Sequence, residues 1–162
     1  MAARKTDAAT DRALCDAAFV CDLIKVRELI AAGADPNARD EDGRTPLFSA
    51  VLGGSIGLVG LLLESGADVN ARDGQGFSAL HFAAQEQLPE MTRLLVAKGA
   101  DVNLQDEDGS SPLWRAVFSS HGQDDIVRIL LAAGGKPELA NKAGETPRAL
   151  ATRLGSTVFS SN

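Results

Sequence analysis

Gly53-Gly54-Ser55-Ile56-Gly57 spells Gly-x-Ser-x-Gly, a spacing that exposes a serine nucleophile for acyl transfer when it sits on a tight strand-to-helix elbow. Such a serine also needs a histidine as base and a carboxylate to orient it. The only two histidines, His81 and His121, lie far along the chain from Ser55. The glycine pair falls where a turn between two helices is expected, so no catalytic residue is assigned and the chain is not expected to be an enzyme. There is no His-Glu-x-x-His, no Cys-x-x-Cys and no Gly-rich loop with a lysine to cradle phosphate, so neither a metal nor a cofactor is expected. Cys15 and Cys21 are placed on or just past one helix, roughly 9 Å apart along its axis, too far for a disulfide. That spacing suits a reducing, cytoplasmic setting.

The 162-residue chain carries a net charge of −6. This balance disfavours duplex nucleic acid or an anionic membrane as a direct partner, because phosphate is bound mainly by Lys and Arg. A protein that is basic along its contacting edge fits better. No run of 18 apolar residues occurs, and Met1-Ala2-Ala3-Arg4-Lys5 leads into no apolar stretch of signal-peptide length.

The elements that position these residues are set by an internal repeat. Gly43-Arg44-Thr45-Pro46-Leu47 recurs as Gly76-Phe77-Ser78-Ala79-Leu80, Gly109-Ser110-Ser111-Pro112-Leu113 and Gly144-Glu145-Thr146-Pro147-Arg148, at steps of 33, 33 and 35 residues. A second motif keeps the same beat, in Gly33-Ala34-Asp35-Pro36-Asn37, Gly66-Ala67-Asp68-Val69-Asn70, Gly99-Ala100-Asp101-Val102-Asn103 and Gly134-Gly135-Lys136-Pro137. Two anchors that share one irregularity mark stacked supersecondary units. At these residues the chain resembles the ankyrin repeat family, over about residues 12 to 155.

The resemblance implies an all-α solenoid of stacked helix-turn-helix pairs joined by hairpin-like finger loops. One domain is expected over 11–155, with an N-terminal cap repeat (11–40), repeats at 41–73, 74–106 and 107–141, and a C-terminal cap repeat (142–155). Both caps are expected within the chain, with 1–10 loose and 156–162 a tail in which Val158 and Phe159 fold back toward the core. In one repeat, Thr45 caps a short inner helix, and Leu58, Val59, Leu61, Leu62 and Leu63 make an outer helix that Gly66 terminates. Charged residues of the first copy, among them Arg12, Asp16, Asp22, Lys25, Arg27 and Glu28, suit an outer face that no earlier repeat covers.

His81 holds the family's usual histidine place, which implies a structural role, bonding loop backbone between repeats. Specificity is expected at the positions that the family leaves variable. On the fingers these are Arg39, Glu41, Asp42, Arg44, Arg72, Gln75, Phe77, Gln105, Glu107, Asp108 and Ser110. The inner helices add Ser49, Leu52, Phe82, Gln85, Glu86, Trp114, Arg115, Phe118 and Ser119. The two inserted residues behind the 35-residue step place a polar loop at Ser119–Asp125, which brings in His121 and Gln123. Phe77, Phe82 and Phe118 are read as a solvent-facing aromatic cluster, and Glu41, Asp42, Glu107 and Asp108 as acidic groups beyond what the turns need.

Together these features predict a protein, monomeric when free, that holds a specific protein partner on a concave wall of fingers and inner helices. The chain resembles small stand-alone bacterial ankyrin repeat proteins, some of which are immunity proteins, and this implies an inhibitor that neutralises a toxin, such as a nuclease, by covering it. A scaffold with several weaker partners is the alternative, and an enzyme a remote one.

Overall fold

The computed structural model describes residues 8–159, and among these nine α-helices form, with no extended strand. The chain divides into two compact units, Met1–Gly74 and Gln75–Asn162. In the first, α1 (Ala8–Phe19) and α2 (Leu23–Ala31) make one helix-turn-helix pair, and α3 (Pro46–Leu52) and α4 (Ile56–Glu64) make the next. Helix α1 packs on α3, and α2 on α4, burying Leu14, Val26, Leu47, Val51, Leu58 and Leu62 completely or nearly so. In the second unit, α5 (Ala79–Gln85) pairs with α6 (Pro89–Ala97) and α7 (Pro112–Ser119) with α8 (Asp125–Ala132), while α9 (Pro147–Arg153) closes on α7. Its core is Leu80, Met91, Leu95, Leu113, Ile126, Leu130 and Leu150.

The short inner helices are set off by their caps. Thr45, Ser78, Ser111 and Thr146 each accept a hydrogen bond from the backbone N–H three residues on, and proline stands at the start of α3, α7 and α9, where a missing N–H costs nothing. Ser55, the serine of the Gly-x-Ser-x-Gly match, does the same for α4, its Oγ accepting from the Leu58 N–H at 3.4 Å. The outer helices end on Gly33, Gly66, Gly99 and Gly134, all at positive φ. The next residue reaches back five positions to donate, as in Ala67 N–H to Leu62 C=O at 3.0 Å, which closes the last turn.

The Asp-x-Asn element works as a staple. Asp35, Asp68 and Asp101 each accept from the backbone N–H two residues on, at 2.9 Å, which fixes the turn. In the first unit Asn37 then accepts from the Asp68 N–H (2.7 Å) and donates to the Gly66 carbonyl (3.1 Å). In the second, Asn103 bonds the Lys136 N–H (2.9 Å) and the Gly134 carbonyl (3.1 Å) in the same way. Fingers also join directly, Lys142 N–H donating to the Asp108 carbonyl at 2.8 Å. A Cβ on Gly109 would lie 2.8 Å from the Lys142 nitrogen, so only glycine permits that approach.

Three details differ from the sequence reading. Helix α1 begins at Ala8, so residues 8–10 are helical and not loose; residues 1–7 and 160–162 lie outside the described residues. Phe159 does not enter the core: its ring lies 5.2 Å from the Arg148 guanidinium and its carbonyl accepts from Arg148 Nη1 at 3.1 Å. The cap repeat exposes the expected Arg12, Asp16, Asp22, Lys25, Arg27 and Glu28, but it also exposes the large apolar residues Phe19, Val20, Leu23 and Ile24.

Gly57 and Gly60 sit inside α4, and a Cβ at either would meet no heavy atom within 4 Å. Each costs the helix roughly 1 kcal/mol relative to alanine. Amide exchange should therefore be faster in α4 than in α6, and Gly57→Ala should slow it and raise Tm by about 2–4 °C. Equal protection in the two wild-type helices would contradict this account.

Candidate functional site

The expected contact residues sit on finger loops and inner helices, and in each unit the structure binds several of them to their own chain. In the first unit Arg39 is exposed but committed, donating from Nη1 to the carbonyls of Gly43 (2.7 Å) and Arg72 (2.5 Å). Gln105 repeats the device in the second unit, donating to the carbonyls of Gly109 (2.5 Å) and Ala140 (3.0 Å). Asp40 Oδ1 accepts from the N–H groups of Asp42 (2.9 Å) and Arg44 (2.8 Å) and holds the first fingertip. The acidic groups next to it are paired, Glu41 with Arg12 (3.4 Å) and Asp42 with Arg44 (3.0 Å). These are exposed pairs, each worth little to stability, and they leave Glu41 and Asp42 open to a stronger cation. Arg72 is exposed.

The most organised cluster lies in the second unit and centres on Asp106. Its side chain is fully buried, and all its acceptor capacity is used. Oδ1 takes the N–H groups of Asp108 and Ser110, each at 2.9 Å, and Oδ2 takes Arg115 Nε (2.9 Å) and Nη2 (2.6 Å). Arg115, its side chain only 15% exposed, also reaches Asp108 Oδ2 at 3.2 Å. The guanidinium lies 4.6 Å from the Phe77 ring centre and 5.4 Å from that of Trp114. Trp114 in turn stacks on Phe118, with ring centres 5.3 Å apart and planes 10° from parallel. A fully bonded carboxylate thus fixes a guanidinium, and the guanidinium fixes two aromatic rings.

The expected aromatic surface is therefore smaller than the sequence suggested. Phe118 is 54% exposed, while Phe77, Phe82 and Trp114 are half-buried. Phe77 is partly covered by Arg115 and by the His81 ring, 5.5 Å away. Gln75, Glu86 and Glu107 are exposed and Gln85 half-buried, whereas Ser49 and Ser110 are buried and face no partner. The inserted loop turns through His121 (φ 44°) and Gly122 (φ 87°), and His121 Nδ1 lies 2.8 Å from the Ser119 carbonyl. His121 and Gln123 both face solvent, following the exposed end of α7.

The ion pair of Asp106 with Arg115 is what the sequence reading missed, although it named Arg115. In the preceding copies the position nine after the finger aspartate holds Ser49 and Phe82, so the repeat pattern carries no signal for it. Cys15 is buried, and burial, followed by the carboxylates of Asp40, Asp16 and Asp11, pushes its thiol up to about 11. It is a core residue, not a nucleophile.

His81 is fully buried. Its Nε2 lies 3.1 Å from the Ser110 carbonyl, an acceptor only, so Nε2 carries the proton. Nδ1 accepts from the Ser78 N–H at 3.1 Å. Burial, set against the pull of Asp106, lowers its pKa from 6.5 to about 4. The unfolded chain therefore binds the extra proton first. Stability contributed by the neutral ring should be complete above pH 6.5 and fall by up to about 3 kcal/mol as pH drops through 6.5 to 4. Denaturant titrations across this window should show that slope in the wild type and lose it in His81→Gln.

No helix among the described residues is long and apolar enough to cross a membrane. No curated protein matches the chain. The family model described as ankyrin repeats (3 copies) matches residues 14–106 and 80–159, which takes in every capped inner helix and every Asn staple described above. The chain belongs to the ankyrin repeat family, an all-α helical repeat fold whose repeats serve protein binding.

Proposed function

We propose that this protein is a dedicated inhibitor of one protein partner, an immunity-type protein that neutralises a cognate toxin by covering it. The observation that carries the reading is the Trp114–Phe118 stack, exposed at Phe118 and held by a guanidinium that is itself locked to buried Asp106. Rigid aromatic anchors lose little entropy on binding, so a pre-ordered pair favours one tight partner over many loose ones. The charge of −6 and the exposed Glu86, Glu107 and Asp108 favour a partner that is basic at the contact, as a nuclease is. Contact by occlusion asks for no chemistry from the inhibitor. In keeping with that, Ser55 is used as a helix cap and His81 as a buried neutral link.

The test is a pull-down with tagged protein from its native cells at low and high salt, with bound proteins identified by mass. One stoichiometric basic partner that survives high salt is expected. Trp114→Ala and Phe118→Ala should each weaken its binding by at least about 30-fold, or roughly 2 kcal/mol, with the folded circular dichroism spectrum kept. Several partners that wash away together, or full affinity in both variants, would replace the inhibitor with a scaffold.

A further inference from the structure

The first unit holds a cavity of about 580 Å³ between α1 and the first finger. Asp11, Cys15 and Asp16 line it from the helix, and Asp40 and Asp42 from the loop. Cys15 is buried in its wall. At the same place in the later copies the chain puts the rings of Phe48, His81 and Trp114, and His81 reaches the next finger at the Ser110 carbonyl. A thiol is too short for that, so space that a ring takes elsewhere stays open beside α1. The carboxylates around it are only partly used. Asp11 Oδ1 accepts from the Asp35 N–H at 2.9 Å, and Asp40 Oδ1 holds the N–H groups of Asp42 and Arg44. Asp40 Oδ2 and the Asp16 side chain meet no cation among the described residues. The two arginines of the cavity wall are engaged elsewhere, Arg39 with the carbonyls of Gly43 and Arg72, and Arg12 with Glu41 in an exposed pair at 3.4 Å.

The second unit shows what such an oxygen takes. Asp106 holds the same place in its repeat as Asp40. It fixes its turn through Oδ1 in the same way and gives Oδ2 to the Arg115 guanidinium, at 2.9 and 2.6 Å. The turn asks for no charge, because Asn141 holds the last fingertip through the same pair of N–H bonds. In the first unit Ser49 stands in the place of Arg115, so the chain brings no guanidinium of its own to Asp40. We propose that the cavity receives an arginine side chain of a protein partner, its guanidinium bonded to Asp40 Oδ2 with Asp16 beside it. The planar group carries five donors and can serve several carboxylates at once, whereas an ammonium is a compact point charge. This site deepens the function proposed above and rests on the basic contact edge of that reading, but it does not require the partner to be a toxin.

Titration of the isotope-labelled full chain with N-acetyl-arginine methylamide, followed by amide NMR at fixed salt, tests the site without the partner. Saturable shifts are expected at residues 38–42 and in α1, with a Kd on the order of 1 mM, and the lysine counterpart should bind at least about 5-fold more weakly. Asp40→Asn, which keeps the fingertip bonds as Asn141 does, should weaken binding by at least about 5-fold. Glu107→Gln, exposed in the second unit, should leave it unchanged. Free arginine separates the two sources of a guanidinium: the capped form should bind at least as tightly, and free arginine binding about 10-fold tighter would assign the cavity to a small molecule and overturn the proposal. So would a wild type without saturable shifts, equal binding of the lysine probe, or equal weakening by the two variants. The arginine and lysine titrations of the wild type decide the matter if Asp40→Asn proves unfolded. Failure here leaves a single tight partner in the pull-down untouched, and failure of the pull-down leaves these shifts in place.

Discussion

Long loops between short helices leave many backbone N–H and C=O groups with no helix or sheet partner, and satisfying them is the constraint on which this structure rests. Side chains supply the missing partners. Asp40, Asp106 and Asn141 each hold two N–H groups of a fingertip. Asn37 and Asn103 tie one loop to the next within their units, and Arg39 and Gln105 collect pairs of carbonyls. The apolar core sets how closely helices approach, but these polar bonds set where each finger stands. Any surface built on the fingers inherits its precision from them.

The same demand explains how a loop fixture becomes part of a candidate site. Asp106 first serves the turn, as the equivalent Asp40 does, through Oδ1. Its second oxygen is spare for the turn, and in this copy Arg115 takes it in a bidentate bond. A buried carboxylate without a cation would be strongly disfavoured. The pair therefore stands or falls together, and Trp114 and Phe118 are ordered beside it.

The helices, their caps and the terminating glycines were legible in the sequence because each repeats at a fixed interval and each has a local cause. His81 was legible only through the family resemblance, since the same place holds Phe48 and Trp114 in the neighbouring copies. Arg39 was assigned to a partner because it occupies a variable position, and nothing local announces that its guanidinium reaches the Gly43 and Arg72 carbonyls. Gln105 makes the equivalent bonds with different chemistry, so residue type alone does not reveal the role. Phe77 and Phe82 were read as solvent-facing because the repeat register gives a residue's place in its copy but not what leans over it. The apolar turn of the first unit was passed over for its charged neighbours: Asp22, Lys25, Arg27 and Glu28 are exposed as read, and Phe19, Val20, Leu23 and Ile24 are exposed beside them.

The loop between α7 and α8 has one more consequence. Its two extra residues leave the packing of α7 on α5 and of α8 on α6 intact, so its length is uncoupled from the register of the repeats. Variation can accumulate there without a penalty in folding, and the length and composition of this segment can diversify faster than any helix. Directed evolution of new recognition should begin by lengthening it at Gly122, where the chain already turns through positive φ.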